Sequence, residues 1–160
     1  MKHVSLPALG GALFFATQIF TVSVAHGGDA VPPRPDPAHM WREECGSCHV
    51  AYPARFLPAA SWRVLMQSLD KHFGVNASLD AATNRAIQSY LEAGASLYHQ
   101  NPKSMPEIRI SRQPWFEREH SEVPDIVWRR NSVRDRANCG VCHSGAEQGI
   151  FNEDGIRIPK

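Results

Sequence analysis

The pattern Cys-x-x-Cys-His occurs twice in this chain, at Cys45 to His49 and at Cys139 to His143, and the two copies use all four cysteines. Cysteines this close together enclose too short a loop to restrain an unfolded chain, so as disulfide staples the pairs are poor. Each pentapeptide must therefore serve something that consumes two thiols and uses the histidine directly behind them. Whatever it is also has to help the chain fold, because 12 prolines and 11 glycines leave few long uninterrupted elements.

The beginning of the chain reads as an export signal. Lys2 supplies the positive start, Leu6 to Phe20 is a largely apolar run, and Ser23-Val24-Ala25 offers small residues for cleavage. Residues 1–25 are thus expected to be a signal peptide, and removal leaves about 135 residues beginning near His26. Pro7, Thr17 and Gln18 weaken the alternative of an uncleaved anchor, and no second apolar span follows. The processed product is expected to be soluble and periplasmic. An oxidising compartment would normally pair free thiols, which makes their prior consumption more pressing. Lys2 aside, 16 basic residues match 16 acidic ones, so charge gives no case for nucleic acid or for a basic membrane-surface stripe.

Periodicity predicts a mainly α fold. Residues 26–35, rich in Pro and Gly, read as a flexible segment. A first helix is expected from Asp36 as cap, with Pro37 in its first turn, running through Met40 and Trp41 into the first pentapeptide. The segment around Pro53 and Pro58 reads as loop. A second helix is expected between Ser61 as cap and Gly74 as terminator, with Trp62, Leu65, Met66, Leu69 and Phe73 on one apolar face. A third is expected from Asp80 to Gly94. Three prolines between Asn101 and Pro114 mark a boundary, and Pro114 opens a short helix in which Phe116 and His120 stand four apart. Residues 133–138 are expected to lead helically into the second pentapeptide, with Ser132 and Asp135 in a capping arrangement. A small hairpin is expected around Asp154-Gly155.

Three chemistries use cysteines at this spacing. Zinc would need both pairs, or one pair with histidines, at one tetrahedral point, and the 90 residues between the pairs far exceed finger or ribbon spacing. Thiol redox motifs need one pair, usually beside a βαβ pattern that is missing here. Neither requires a histidine immediately after the second cysteine. Covalent haem does: two thioethers fasten the porphyrin and the adjacent histidine ligates the iron. Two haem c groups are therefore expected, on Cys45 and Cys48 with His49, and on Cys139 and Cys142 with His143. Their large apolar surfaces would let a short, proline-rich chain build a core.

The sixth iron ligand separates an electron carrier from a site open to small molecules. Candidates are His26, His39, His72, His99 and His120, with Met40, Met66 and Met105. His26 and His39 read as solvated, and Met66 as core. His72 follows an apolar helix and lies 23 residues past His49; His120 lies 23 residues before His143 and shares a helical face with Phe116. His99 stays open as a competitor for the second haem. For the outer nitrogen of His49, a backbone carbonyl near Pro53 or Pro58 is the expected acceptor.

The chain resembles the dihaem cytochrome c family of photosynthetic and related proteobacteria. The likeness runs through CGSCHVAYPARFLPAASWRVLMQSLDKHFG, NASLDAATNRAIQSYLEAGA, PWFEREH and CGVCHSGAEQGIF, which is nearly all of the mature sequence. It implies a cytochrome c-like helical half, 36–100, and a less regular haem-binding half, 101–160. It also implies two histidine ligands at each iron, consistent with His72 and His120. The implied partners are a small oxygen-binding monohaem cytochrome and a b-type membrane cytochrome. The arginine-rich run from Arg129 to Arg136 reads either as neutralising haem propionates or as a docking patch.

The function expected on these grounds is electron transfer without catalysis, at low potential relative to His/Met cytochromes. A haem enzyme or gas sensor, in which a distal histidine gives way to a small ligand, is the rival. A subunit docked permanently in a membrane oxidase or reductase is a third reading.

Overall fold

The computed structural model describes residues 36–97 and 105–160. The expected signal peptide, residues 1–25, the segment 26–35 with His26, and His99 lie outside the described residues.

Asp36 caps helix α1, Pro37–Gly46, by accepting the Ala38 amide at 3.1 Å, and Pro37 occupies the first turn, where no amide is needed. A single 3₁₀ turn, Ala54–Phe56, interrupts the loop that follows. Helix α2 spans Ala59–Gln67 and helix α3 spans Ala81–Ala93, the latter capped by the Asp80 carboxylate on the Ala82 and Thr83 amides and closed by Gly94. Two shorter helices, α4 at Pro114–Glu119 and α5 at Asp125–Trp128, lie in the C-terminal part. Among the described residues there is no strand, only isolated bridges pairing Pro58 with Ser96, His72 with Val75 and His143 with Ile156.

Helix α3 packs across α1 and α2. Leu57, Ile87 and Leu91 are fully buried there, each contributing about 1.5–3 kcal/mol of apolar burial. Met66 lies in the same core, as expected. Ile110 and Phe116 join this cluster from the C-terminal part. Two buried polar side chains, Ser61 and Gln113, dock the intervening loop by donating to the Glu107 carbonyl, each at 2.8 Å.

Several expected boundaries move. Helix α2 begins two residues before Ser61, with Pro58 as its cap, because the Ser61 hydroxyl is spent on Glu107 rather than on its own helix. It ends at Gln67, well short of Gly74. The Ser68 hydroxyl turns back to the Val64 and Leu65 carbonyls there, and a 3₁₀ turn, Leu69–Lys71, follows. Phe73 leaves the apolar stripe and is 45% exposed. Residues 133–138 are not helical: Arg134 adopts a left-handed φ of 65° and Asp135 caps a local turn through the Ala137 amide. Ser132 bonds the Lys160 carbonyl instead of a helix end. The expected terminal hairpin is a 3₁₀ turn, Glu153–Gly155.

Candidate functional site

The first pentapeptide begins in the last turn of α1. Cys45 is the penultimate helical residue, and the Ser47 hydroxyl closes the helix by donating to the Glu44 carbonyl at 2.8 Å. The chain then turns so tightly that His49 Nδ1 lies 2.7 Å from the carbonyl of Val50. A carbonyl only accepts, so Nδ1 carries the proton and Nε2 of the neutral ring is left with its lone pair. The acceptor is thus the next residue, not a carbonyl near Pro53 or Pro58. The Tyr52 ring stacks on His49 with centroids 4.8 Å apart and planes at 21°.

His72 reaches the same place from the end of the Leu69–Lys71 turn. Phe73 and Gly74 follow with φ of 49° and 102°, two successive left-handed residues that reverse the chain beneath the imidazole. The Arg109 guanidinium sits 4.4 Å over the Phe73 ring and holds this reversal from the C-terminal part. The His49 and His72 ring centroids lie 6.1 Å apart, with planes at 22°. Burial, then the neighbouring His49, lowers the pKa of His72 and favours the neutral, metal-competent ring.

The second pair is built differently. His120 caps the C-terminus of α4, with its amide bonded to the Phe116 carbonyl at 3.1 Å and its Nδ1 2.8 Å from the same oxygen. Its ring stacks on Phe116 at 3.9 Å and 18°, and Trp128 flanks it at 5.8 Å. The second pentapeptide forms a 3₁₀ turn, Cys139–Val141, closed by a 2.8 Å bond from the His143 amide to the Cys139 carbonyl. Phe151, 5.5 Å away, and the bridge to Ile156 support His143. Its ring centroid is 6.1 Å from that of His120, with planes at 74°. Burial, then His120, lowers the His143 pKa.

These residues fit a haem iron. A metal–imidazole bond of about 2.0–2.1 Å, plus about 1.1 Å from nitrogen to ring centre on each side, places two clamping rings about 6.2 Å apart. Both histidine pairs stand at that separation. At His143, unlike at His49 and His120, the buried Nδ1 has no hydrogen-bond partner, so nothing on the protein side fixes which ring nitrogen carries the proton. All four cysteines are free thiols. Burial pushes Cys45 and Cys139 each up to about 11, so without a bound group both are protonated thiols near neutral pH. Among the described residues, no three His, Cys, Asp or Glu side chains converge as a metal cluster.

Other candidates lie elsewhere. His39 is on the exposed face of α1, 3.2 Å from Glu43, and Met105 is 82% exposed. In the arginine-rich run, Arg136 covers the Trp128 ring at 4.9 Å and Arg130 donates to the Pro159 carbonyl. Sequence reasoning assigned no role to Tyr52, Trp128 or Phe151. An aromatic residue three places after a Cys-x-x-Cys-His was the available signal for Tyr52. For the other two there was none, because they meet the histidines only through the fold.

Comparison with known proteins shows the family. A family model for dihaem cytochrome c matches residues 41–151. The crystal structure of a dihaem cytochrome from Rhodobacter sphaeroides is 45% identical, with a TM-score of 0.61 over 71% of this chain and 96% of that one. The X-ray structure of a dihaem cytochrome type c from Shewanella baltica is 40% identical, with a TM-score of 0.67 over 77% of this chain and 94% of that one. No curated protein matches.

Proposed function

The chain belongs to the dihaem cytochrome c family, and on that premise we propose that it carries electrons between redox proteins in the periplasm and is not an enzyme. When bound, each haem supplies an iron that gains or loses one electron. The residues around it determine whether that is all it does. Cys45 and Cys48, and Cys139 and Cys142, would hold the two groups as thioethers. His49 with His72, and His143 with His120, would ligate the two irons, one pair to each.

The observation carrying this reading is the 6.1 Å separation in each pair, which suits one iron between two imidazole nitrogens. Nδ1 of His49 and of His120 is committed to a backbone carbonyl, which aims the opposite nitrogen away from the chain and keeps the ring from turning. Rings held this way need little rearrangement when the charge at the iron changes. With both positions filled, oxygen or peroxide finds no place to bind.

The periplasmic reading is supported by the signal-like residues 1–25, and among the described residues no helix is long and apolar enough to cross a membrane. The partners we propose are those the sequence resemblance implies, a small oxygen-binding monohaem cytochrome and a b-type membrane cytochrome.

Two measurements test the proposal. The spectrum of the pyridine-treated protein, with the mass of the mature chain, should count two covalent haems and an N-terminus near His26. Carbon monoxide added to the reduced protein should leave the spectrum unchanged. A shifted Soret band would instead establish an open iron and the ligand-binding alternative.

A further inference from the structure

We propose that Tyr52 is a positioning residue that couples the two histidine pairs, so that a change at one is felt at the other. This rests on the reading that each pair serves one haem. The Tyr52 ring lies against His49, 4.8 Å between centroids and 21° from parallel. Its hydroxyl donates to the carbonyl of Ala137 at 2.6 Å, across 85 positions of sequence. Ala137 stands two residues before Cys139, whose thiol faces the same carbonyl at 3.5 Å. One side chain thus touches the imidazole of the first pair and the backbone from which the second pentapeptide departs.

A second approach runs beside it. Val50, whose carbonyl holds His49 Nδ1, is buried, and its Cγ2 would lie 3.8 Å from a Cβ placed on Gly140. The residue that follows the first pentapeptide therefore lies close to the glycine inside the second. In the exchange it would influence, one iron would be oxidised by one electron as the other is reduced, while the Tyr52 hydroxyl keeps its bond to the Ala137 carbonyl.

A tilt of His49 must move the Tyr52 ring packed on it, and the hydroxyl transmits that movement to Ala137. A hydrogen bond of this kind is worth enough to bias an equilibrium by a factor of about 2–12. The test compares wild-type holoprotein with Tyr52→Phe, which keeps the ring and removes the hydroxyl. In half-reduced samples, the distribution of one electron between the haems should change by about threefold or more. The ferric signal of the His120–His143 site should shift as well, although the substitution lies beside His49.

An unchanged distribution with both ferric signals as in wild type overturns the proposal. So does a change confined to the first site, or a loss of thermal stability alone, which would mark a merely structural bond. If Tyr52→Phe does not assemble, hydrogen exchange on the wild-type holoprotein decides. Amides of 50–53 and of 137–143 should change protection together on reduction, and independent changes refute the link. Two covalent haems sealed against carbon monoxide, with a silent Tyr52→Phe, defeat the coupling alone. An open iron in wild type defeats the carrier reading instead.

Discussion

His120 stands nearly at right angles to His143, 74° between ring planes, at the same 6.1 Å separation at which His49 and His72 lie within 22° of parallel. The difference comes from what each ring is stacked on. His49 is pressed flat against Tyr52, whereas His120 lies flat on Phe116 and so presents its edge to His143. Axial imidazoles donate π density to one iron d orbital when parallel and divide it between two when crossed. The oxidised protein should therefore give two low-spin electron paramagnetic resonance signals: one rhombic, and one much more anisotropic with a larger maximum g value. Two identical rhombic signals would contradict the crossed arrangement.

Replacing one distal histidine should open one iron only. His72→Ala and His120→Ala are each expected to bind about one carbon monoxide per protein once reduced, while wild type binds none. Titrating the Soret shift counts the sites. A sealed His120→Ala variant would move the assignment to another residue, and His99→Ala is the next substitution to make.

Gly94, the C-cap of helix α3, has no room for a side chain: a Cβ there would come within 2.9 Å of the Ala54 Cβ. Gly94→Ala should destabilise the holoprotein by about 1–3 kcal/mol through overpacking. Thermal unfolding should record a fall of roughly 2–4 °C for each kcal/mol. An unchanged midpoint would mean that the Ala54–Phe56 turn yields freely.

The loop before α4 depends on the Ser61 hydroxyl, buried and bonded to the Glu107 carbonyl. Gln113 also donates to that carbonyl, so Ser61→Ala leaves the acceptor satisfied and should cost only about 0.5–1 kcal/mol. Ser61→Val adds bulk at a fully buried position and should cost more, about 1–3 kcal/mol. Denaturant unfolding separates the two, and equal costs would show the pocket to be loose.

Acid should weaken one tie between α2 and α3. The hydrogen bond from Arg63, at 2.5 Å, holds the Glu92 carboxyl below its ordinary pKa, with Gln88 assisting against a small burial effect. A depressed folded pKa means the contribution is complete above the unfolded value of about 4.3 and disappears as pH falls through the folded one. Arg63 is half exposed, so Glu92→Gln should cost no more than about 0.2–1 kcal/mol at pH 7. That cost should vanish once the pH falls below the folded value, and a pH-independent difference would assign it to packing.

Much of this molecule could be read from local chemistry. Asp36-Pro37 and Asp80 with Gly94 delimit α1 and α3 because capping is settled by a few neighbouring residues. Ser61 misled for the complementary reason: its acceptor, Glu107, is 46 positions away, and no local pattern discloses it. Similarly, the left-handed Phe73 looked like one more member of an apolar stripe until the chain reversal under His72 displaced it.

The pentapeptides specify the haem chemistry from sequence because two thiols and a histidine must be covalent neighbours to meet one porphyrin. Which distant rings face those histidines, at what angle, and what joins the two pairs depend on contacts between residues tens of positions apart. Stacking on Tyr52 or Phe116, the Arg109 clamp and the Tyr52–Ala137 bond exist only once the chain has folded, because each is a matter of distance in space rather than of order along the backbone.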